Sequence, residues 1–173
     1  MATSRPDIVT NARLAAALLL VASAAVLSAA FAFQYLGGLA PCVLCLWQRY
    51  PYGAVIGLSA LALVLASRRW APVLLAICGV AFLVGAGIAA FHVGVEQHWW
   101  QGTAACGATQ GAAASLEALR AQLMAQPVVR CDEIPWALFG ISMAGYNFVI
   151  SLALAAFSFA MAWRLFAAAQ QHR

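Results

Sequence analysis

Four long apolar blocks constrain this chain more than any other feature of it. They run from about Leu14 to Leu36, Leu46 to Ala66, Ala71 to Val93 and Trp136 to Trp163. A membrane span needs about 20 consecutive, predominantly apolar residues, and each block is long enough to cross. A soluble domain could not hide them, because hydrophobic residues make up 65% of the chain and charged residues 8%, against about 45–50% and about 25% in ordinary soluble proteins. The expected fold is all-α integral membrane: one domain over residues 1–173, a bundle of four transmembrane helices over about 14–36, 46–66, 71–93 and 136–163. A long outer loop, 94–135, joins the last two spans.

The charges orient the bundle. Net charge is +4 with no lysine, and cytoplasmic loops near span ends carry the excess of basic residues. Arg5 and Arg13 precede the first span, Arg68 and Arg69 lie between the second and third, and Arg164 and Arg173 fall at or beyond the end of the fourth. All three places are on one side, so both termini are expected in the cytoplasm. A nucleic-acid footprint would cluster its basic residues on one face or arm, and this scatter excludes it. The first block is also longer than the roughly 7–15 residues of a cleaved signal peptide's apolar region, so it reads as a retained anchor.

Gly37, Gly38 and Pro41 break the chain after the first span, since two glycines and a proline continue a helix only at high cost. Pro41 then suits the opening turn of the next helix. In the outer loop, Leu116, Leu119 and Leu123 recur at helical spacing, with Glu117, Arg120 and Gln122 on other faces. A short amphipathic helix over 112–126 is expected, lying on the membrane or solvated above it, with Pro127 ending it.

Five cysteines are present, and four of them, Cys42, Cys45, Cys106 and Cys131, fall on the outer side. Cysteines in an oxidising compartment are expected to pair. Cys78 lies mid-span, where a small buried hydrophobe is the ordinary role. Cys42-Val43-Leu44-Cys45 is a C-x-x-C, a spacing that lets two sulfurs meet across a turn and often lowers one thiol's pKa. The helix N-terminus there favours a thiolate on Cys42 or Cys45. Half of a zinc site has the same spacing, but tetrahedral zinc wants four ligands, and Cys106 and Cys131 do not form a second C-x-x-C; no metal is expected. Arg49 lies one helical turn inward of Cys45, and an arginine inside a span normally faces a partner or a polar cavity, unless it snorkels to the surface.

The run Pro41-Cys42-Val43-Leu44-Cys45-Leu46-Trp47-Gln48-Arg49 resembles the active-site segment of the bacterial disulfide bond formation protein B (DsbB) family, the quinone-linked oxidases of periplasmic disulfide formation. The resemblance covers nearly the whole chain, including the four spans, the outer pair Cys106 and Cys131, and the segment Cys131-Asp132-Glu133-Ile134-Pro135-Trp136. It implies a multi-pass protein of the bacterial inner (cytoplasmic) membrane with its active cysteines in the periplasm. Cys42/Cys45 would be the quinone-proximal pair, and Cys106/Cys131 the loop pair that meets a soluble DsbA-like thiol oxidase. Ubiquinone or menaquinone would be the electron acceptor, bound by Arg49 and by a histidine that His98 approximates in position, with His92 its competitor.

The implied chemistry is a relay. The partner attacks the loop disulfide at Cys106, Cys131 resolves the mixed disulfide, and exchange carries electrons inward to Cys42/Cys45, with Cys45 engaging the quinone as thiolate. Three other functions fit the sequence less well. A vitamin K epoxide reductase-like enzyme would carry its C-x-x-C late in the bundle, a disulfide-stapled scaffold would hold four inert sulfurs, and a haem protein would need histidines on opposing segments.

Overall fold

The computed structural model describes residues 5–65, 70–106, 115–117, 120 and 129–171. Among these, the order is α1 (Arg5–Tyr35), α2 (Val43–Trp47), α3 (Arg49–Leu65), α4 (Ala71–Glu96), a 3-10 turn (Ala104–Cys106), the strands β1 (Ala137–Leu138) and β2 (Ile141–Ser142), and α5 (Met143–Gln170). Among the described residues, three helices are long and apolar enough to cross a membrane: Val9–Tyr35 of α1, all of α4 and all of α5, with mean hydropathies of 2.4, 2.6 and 1.8. The chain is thus a largely helical membrane protein.

The expected second span, 46–66, is interrupted. Its first turn belongs to α2, Gln48 stands between, and α3 runs from Arg49 to Leu65. The cause is Pro51, which lacks the N–H that would bond the Trp47 carbonyl and whose ring crowds that same carbonyl. As the third residue of α3, Pro51 sits where no intrahelical donor is needed. The fourth block also begins differently: residues 137–142 form an antiparallel hairpin pairing Ala137 with Ser142 and Leu138 with Ile141. Phe139 and Gly140 turn it at φ 51° and 77°, a left-handed conformation no helix continues. Ser142 then caps α5, its hydroxyl accepting the Gly145 N–H at 3.1 Å. The amphipathic helix expected over 112–126, and the turn with Arg68 and Arg69, lie outside the described residues almost entirely.

α1 lies on α3, α3 on α4, and α4 along α5. The core between them is built from Ala12, Ala16 and Leu19 of α1, Tyr52 and Val55 of α3, Leu75, Cys78 and Phe82 of α4, and Ala155 and Ala162 of α5. Small residues dominate because helices in lipid gain by close backbone approach rather than by hiding apolar surface from water. Gly79 marks one such close approach: a Cβ there would fall 2.9 Å from the Phe159 ring. Cys78 is fully buried with Ser59 Oγ 3.9 Å from its sulfur, in keeping with a structural role. The C-termini of α1 and α4 and the N-termini of α3 and α5 gather at one end, where all five cysteines but Cys78 are found.

Candidate redox site

Cys42 is the N-cap of α2, with φ −73° and ψ 171°, and its sulfur accepts the Cys45 backbone N–H at 3.3 Å. The three-residue spacing places both side chains on one face of that turn, with sulfurs 3.0 Å apart as free thiols. Cys42 is buried and Cys45 half-buried. The thiol of Cys45 donates to Cys42 and holds the Cys42 pKa well below the ordinary thiol value; burial opposes this, and the hydrogen bond and charge of His92 add to the lowering. Cys45 moves up, because it gives that hydrogen bond to Cys42, is partly desolvated and faces the negative sulfur. The sequence left the helix-end thiolate open between Cys42 and Cys45, and the family resemblance implied Cys45 as the one facing quinone. The structure favours Cys42, whose sulfur is the one His92 reaches, at 3.5 Å from Nε2.

The sign of this asymmetry is testable. A thiol of pKa about 8.5 loses roughly 75-fold of its thiolate between pH 8 and pH 6, whereas a thiol with a lowered pKa stays deprotonated across that interval. Iodoacetamide labelling of Cys42 in the reduced protein, read by mass spectrometry, will be nearly flat from pH 8 to pH 6, while Cys45 labels slowly throughout. A Cys42 rate that falls with pH like free cysteine would contradict the assignment.

His92 comes from the last turns of α4 and is 3% exposed. Its Nδ1 lies 2.9 Å from Gln48 Nε2. Gln48 Nε2 also donates to the Leu44 carbonyl at 3.2 Å, and Gln48 Oε1 accepts from Asn147 Nδ2 of α5 at 2.5 Å. Asn147 Oδ1 accepts from the Tyr52 hydroxyl at 2.6 Å, and Ser151 Oγ lies 2.9 Å beyond. Glu96, 5% exposed, accepts from Ser142 Oγ at 2.5 Å and stands 3.9 Å from His92 Nε2. Gln48, Asn147 and Glu96 were missed from the sequence, although polar side chains inside apolar blocks are the signal that marks such sites.

His98, expected near the site, is elsewhere. It takes φ 60° just past α4, where His98 N–H bonds Val95 O at 3.1 Å and Trp99 N–H bonds Gly94 O at 2.9 Å. That pair of bonds is a Schellman closure. The exposed ring of His98 turns its Nδ1 to the Glu96 carbonyl at 3.1 Å, and His92 occupies the place beside the cysteines. Trp100 completes this end of α4: its Nε1 donates to the Phe91 carbonyl at 3.0 Å, and its ring lies where any Cβ on Gly94 would collide.

Cys106 and Cys131 are joined by a disulfide with Cα atoms 5.2 Å apart. Both are buried and pack with Cys42, Leu44 and Val95 in one cluster, Cys45 and Val43 at its edge. The Cys131 backbone also stands near the His92 ring, so one imidazole neighbours both cysteine pairs. Cys42 and Cys45 also line a mainly apolar cavity of about 560 Å³, with Phe33, Arg49, His92, Trp136 and Asn147 among its other walls. Arg49 donates to Gln34 Oε1 at 2.7 Å, and its guanidinium lies 4.9 Å from the Phe31 ring centre. It is held at the cavity by these contacts.

Donor atoms of Cys42, Cys45 and His92 lie within 4.8 Å of one another. Two sulfurs on tetrahedral zinc at about 2.3 Å each would stand roughly 3.7 Å apart, wider than the observed 3.0 Å. Among the described residues these are three potential ligands, one short of the four that tetrahedral zinc takes from the protein in a structural site.

A family model described as "Disulfide bond formation protein DsbB" matches residues 12–161. The chain is 31% identical over 155 residues to disulfide bond formation protein B of Psychrobacter sp. (strain PRwf-1), covering 86% of this chain and 90% of that one. It is 33% identical over 87 residues to the protein of the same name from Herminiimonas arsenicoxydans, about half of each chain (50% and 52%). An uncharacterized protein of Rickettsia prowazekii (strain Madrid E) matches at 28% over 144 residues, 81% of each. No solved structure matches the chain. With a cysteine pair on a short helix at one end of the bundle, a disulfide packed against it and a family match over most of its length, the chain belongs to the disulfide bond formation protein DsbB family, membrane oxidoreductases of disulfide bond formation.

Proposed function

We propose that the protein reoxidises a periplasmic DsbA-like thiol oxidase and passes the two electrons to membrane quinone. The observation that carries this reading is the position of Cys42 and Cys45, packed with the Cys106–Cys131 disulfide and lining an apolar cavity that Arg49 and His92 also line. On this reading α2 and α3 together make a fourth span, both termini are cytoplasmic, and the cysteines face the periplasm.

The relay balances. A partner thiolate attacks the Cys106–Cys131 disulfide and the partner's second thiol closes its own disulfide, leaving two reduced loop sulfurs. Those reduce Cys42–Cys45 by a second exchange, and the loop disulfide re-forms. Ubiquinone or menaquinone, when bound, accepts two electrons and two protons from the Cys42/Cys45 dithiol, which returns to a disulfide. A DsbA-type couple lies near about −120 mV, where about 30 mV is worth roughly 1.4 kcal/mol for two electrons, so an acceptor stronger than an ordinary thiol couple is required. The cavity fits such an acceptor: its volume lies within the roughly 300–1,000 Å³ of small-molecule sites, its walls are mainly apolar, and Arg49 supplies donors for a carbonyl oxygen.

Purified protein in detergent with a ubiquinone analogue should reoxidise a reduced DsbA-like protein catalytically, read as loss of quinone absorbance. No turnover with any ubiquinone or menaquinone analogue would overturn the proposal. Arg49→Ala should raise the apparent KM for quinone by about 10- to 100-fold, the worth of one hydrogen bond from a charged donor. An unchanged KM would remove Arg49 from the quinone site.

A further inference from the structure

The geometry points to Gln48, Asn147 and Tyr52 as a positioning relay that fixes which nitrogen of His92 carries its proton, directing Nε2–H at Cys42. This deepens the proposed function and rests on it for the role of Cys42, but the relay itself has a test independent of activity.

The orientation of each member follows from the next. A carbonyl oxygen only accepts, so the Gln48 side-chain atom 3.2 Å from the Leu44 carbonyl is the amide nitrogen. That same nitrogen faces His92 Nδ1 at 2.9 Å, which must therefore be the bare, accepting nitrogen. The proton of the neutral ring is left on Nε2, 3.5 Å from Cys42 Sγ. Turning the Gln48 amide over would set its oxygen against the Leu44 carbonyl, two acceptors without a proton between them. Asn147 holds the other end, donating to Gln48 Oε1 at 2.5 Å while accepting from Tyr52 at 2.6 Å. The chain thus joins α2, α3, α4 and α5, and a change on α5 is felt at a sulfur on α2.

The consequence is chemical. Were Nδ1 protonated, Nε2 would turn a lone pair towards the Cys42 thiolate and repel it; with Nε2 protonated, the ring donates to it. Among the described residues, the titratable groups facing the His92–Cys42 pair are Cys45 of α2 and Glu96 of α4, with Tyr52 of α3 at the far end of the relay. The α5 groups, Ser142 and Asn147, are neutral, and Arg49 is turned onto Gln34 and Phe31.

The test is nitrogen-15 NMR of histidine-labelled, reduced protein in micelles. The three histidines are cut to one by His98→Gln and His172→Gln, so that only His92 reports. The ring nitrogens should show a bare Nδ1 and a protonated Nε2 in the starting protein. Asn147→Asp replaces the amide donor by a carboxylate, which drives Gln48 to turn over and the proton to move to Nδ1. Gln48→Leu removes the donor to Nδ1 and should give a mixture. In both variants Cys42 alkylation at pH 6 should slow about tenfold, the size of one hydrogen bond. If either variant fails to fold, Tyr52→Phe breaks the chain with its shape kept and should give a smaller shift of the same sign. A protonated Nδ1 in the starting protein, or an unchanged ring pattern in every folded variant, would overturn the relay. If the ring behaves as expected while the protein reduces no quinone, the relay stands and the proposed function falls.

Discussion

Steady turnover of a DsbA-like dithiol with a ubiquinone analogue will fall by at least about 1,000-fold in Cys42→Ser and in Cys45→Ser, the scale on which groups acting as a unit fail when one is removed. One remaining sulfur cannot close a disulfide, so two electrons have no route from the loop pair to quinone. The Cys106–Cys131 disulfide is untouched by either substitution. Each variant should therefore oxidise about one equivalent of partner and then stop. A stopped-flow trace with a burst and no slope is the expected result; continued turnover would sink the relay.

Phe82→Ala should cost about 3–5 kcal/mol, the usual loss when a buried phenylalanine leaves a cavity. Phe82 is fully buried on α4, and its ring meets that of Tyr52 edge-on, with centroids 5.7 Å apart at 71°. Tyr52 is the far member of the relay, so the cavity removes a wall from it as well. Unfolding in mixed micelles measures the loss, and Phe82→Leu, which keeps most of the volume, should lose much less. A loss below about 1 kcal/mol for the alanine would show that the helices close over the gap.

Block length and hydropathy made α1, α4 and α5 legible, because a membrane span advertises itself in a run of apolar residues and needs no long-range information. The C-x-x-C and the Cys106/Cys131 pair were legible for a similar reason: they are rare residues in a chain with few polar ones. The break at Gln48 was readable in principle from Pro51, but a proline near a helix start is compatible with both a continuous and a divided helix. Ala137 to Ser142 are apolar enough to pass for the start of a span, and only the left-handed pair Phe139–Gly140 turns them into a hairpin. Which histidine joins the cysteines depended on where α4 stops. His92 and His98 are six residues apart, far enough for one to be inside the helix and the other to close it. Gln48, Asn147 and Tyr52 lie on separate elements, so no local pattern could join them.

The aromatic residues around this end of the bundle bear on where the cysteine pair sits in the bilayer. Tyr35 at the end of α1, Trp99 beyond α4 and Phe139 at the hairpin tip before α5 are 73%, 69% and 90% exposed. Rings at the ends of membrane helices settle at the headgroup level. Phe139 holds a backbone conformation costing roughly 1–2 kcal/mol for a residue with a side chain, where asparagine or glycine would turn the chain more easily. The turn chemistry alone does not call for an aromatic there. Three separate elements at the cysteine end of the bundle thus carry rings suited to fixing its depth, and Trp47 of α2, 41% exposed, adds a fourth beside the sulfurs themselves.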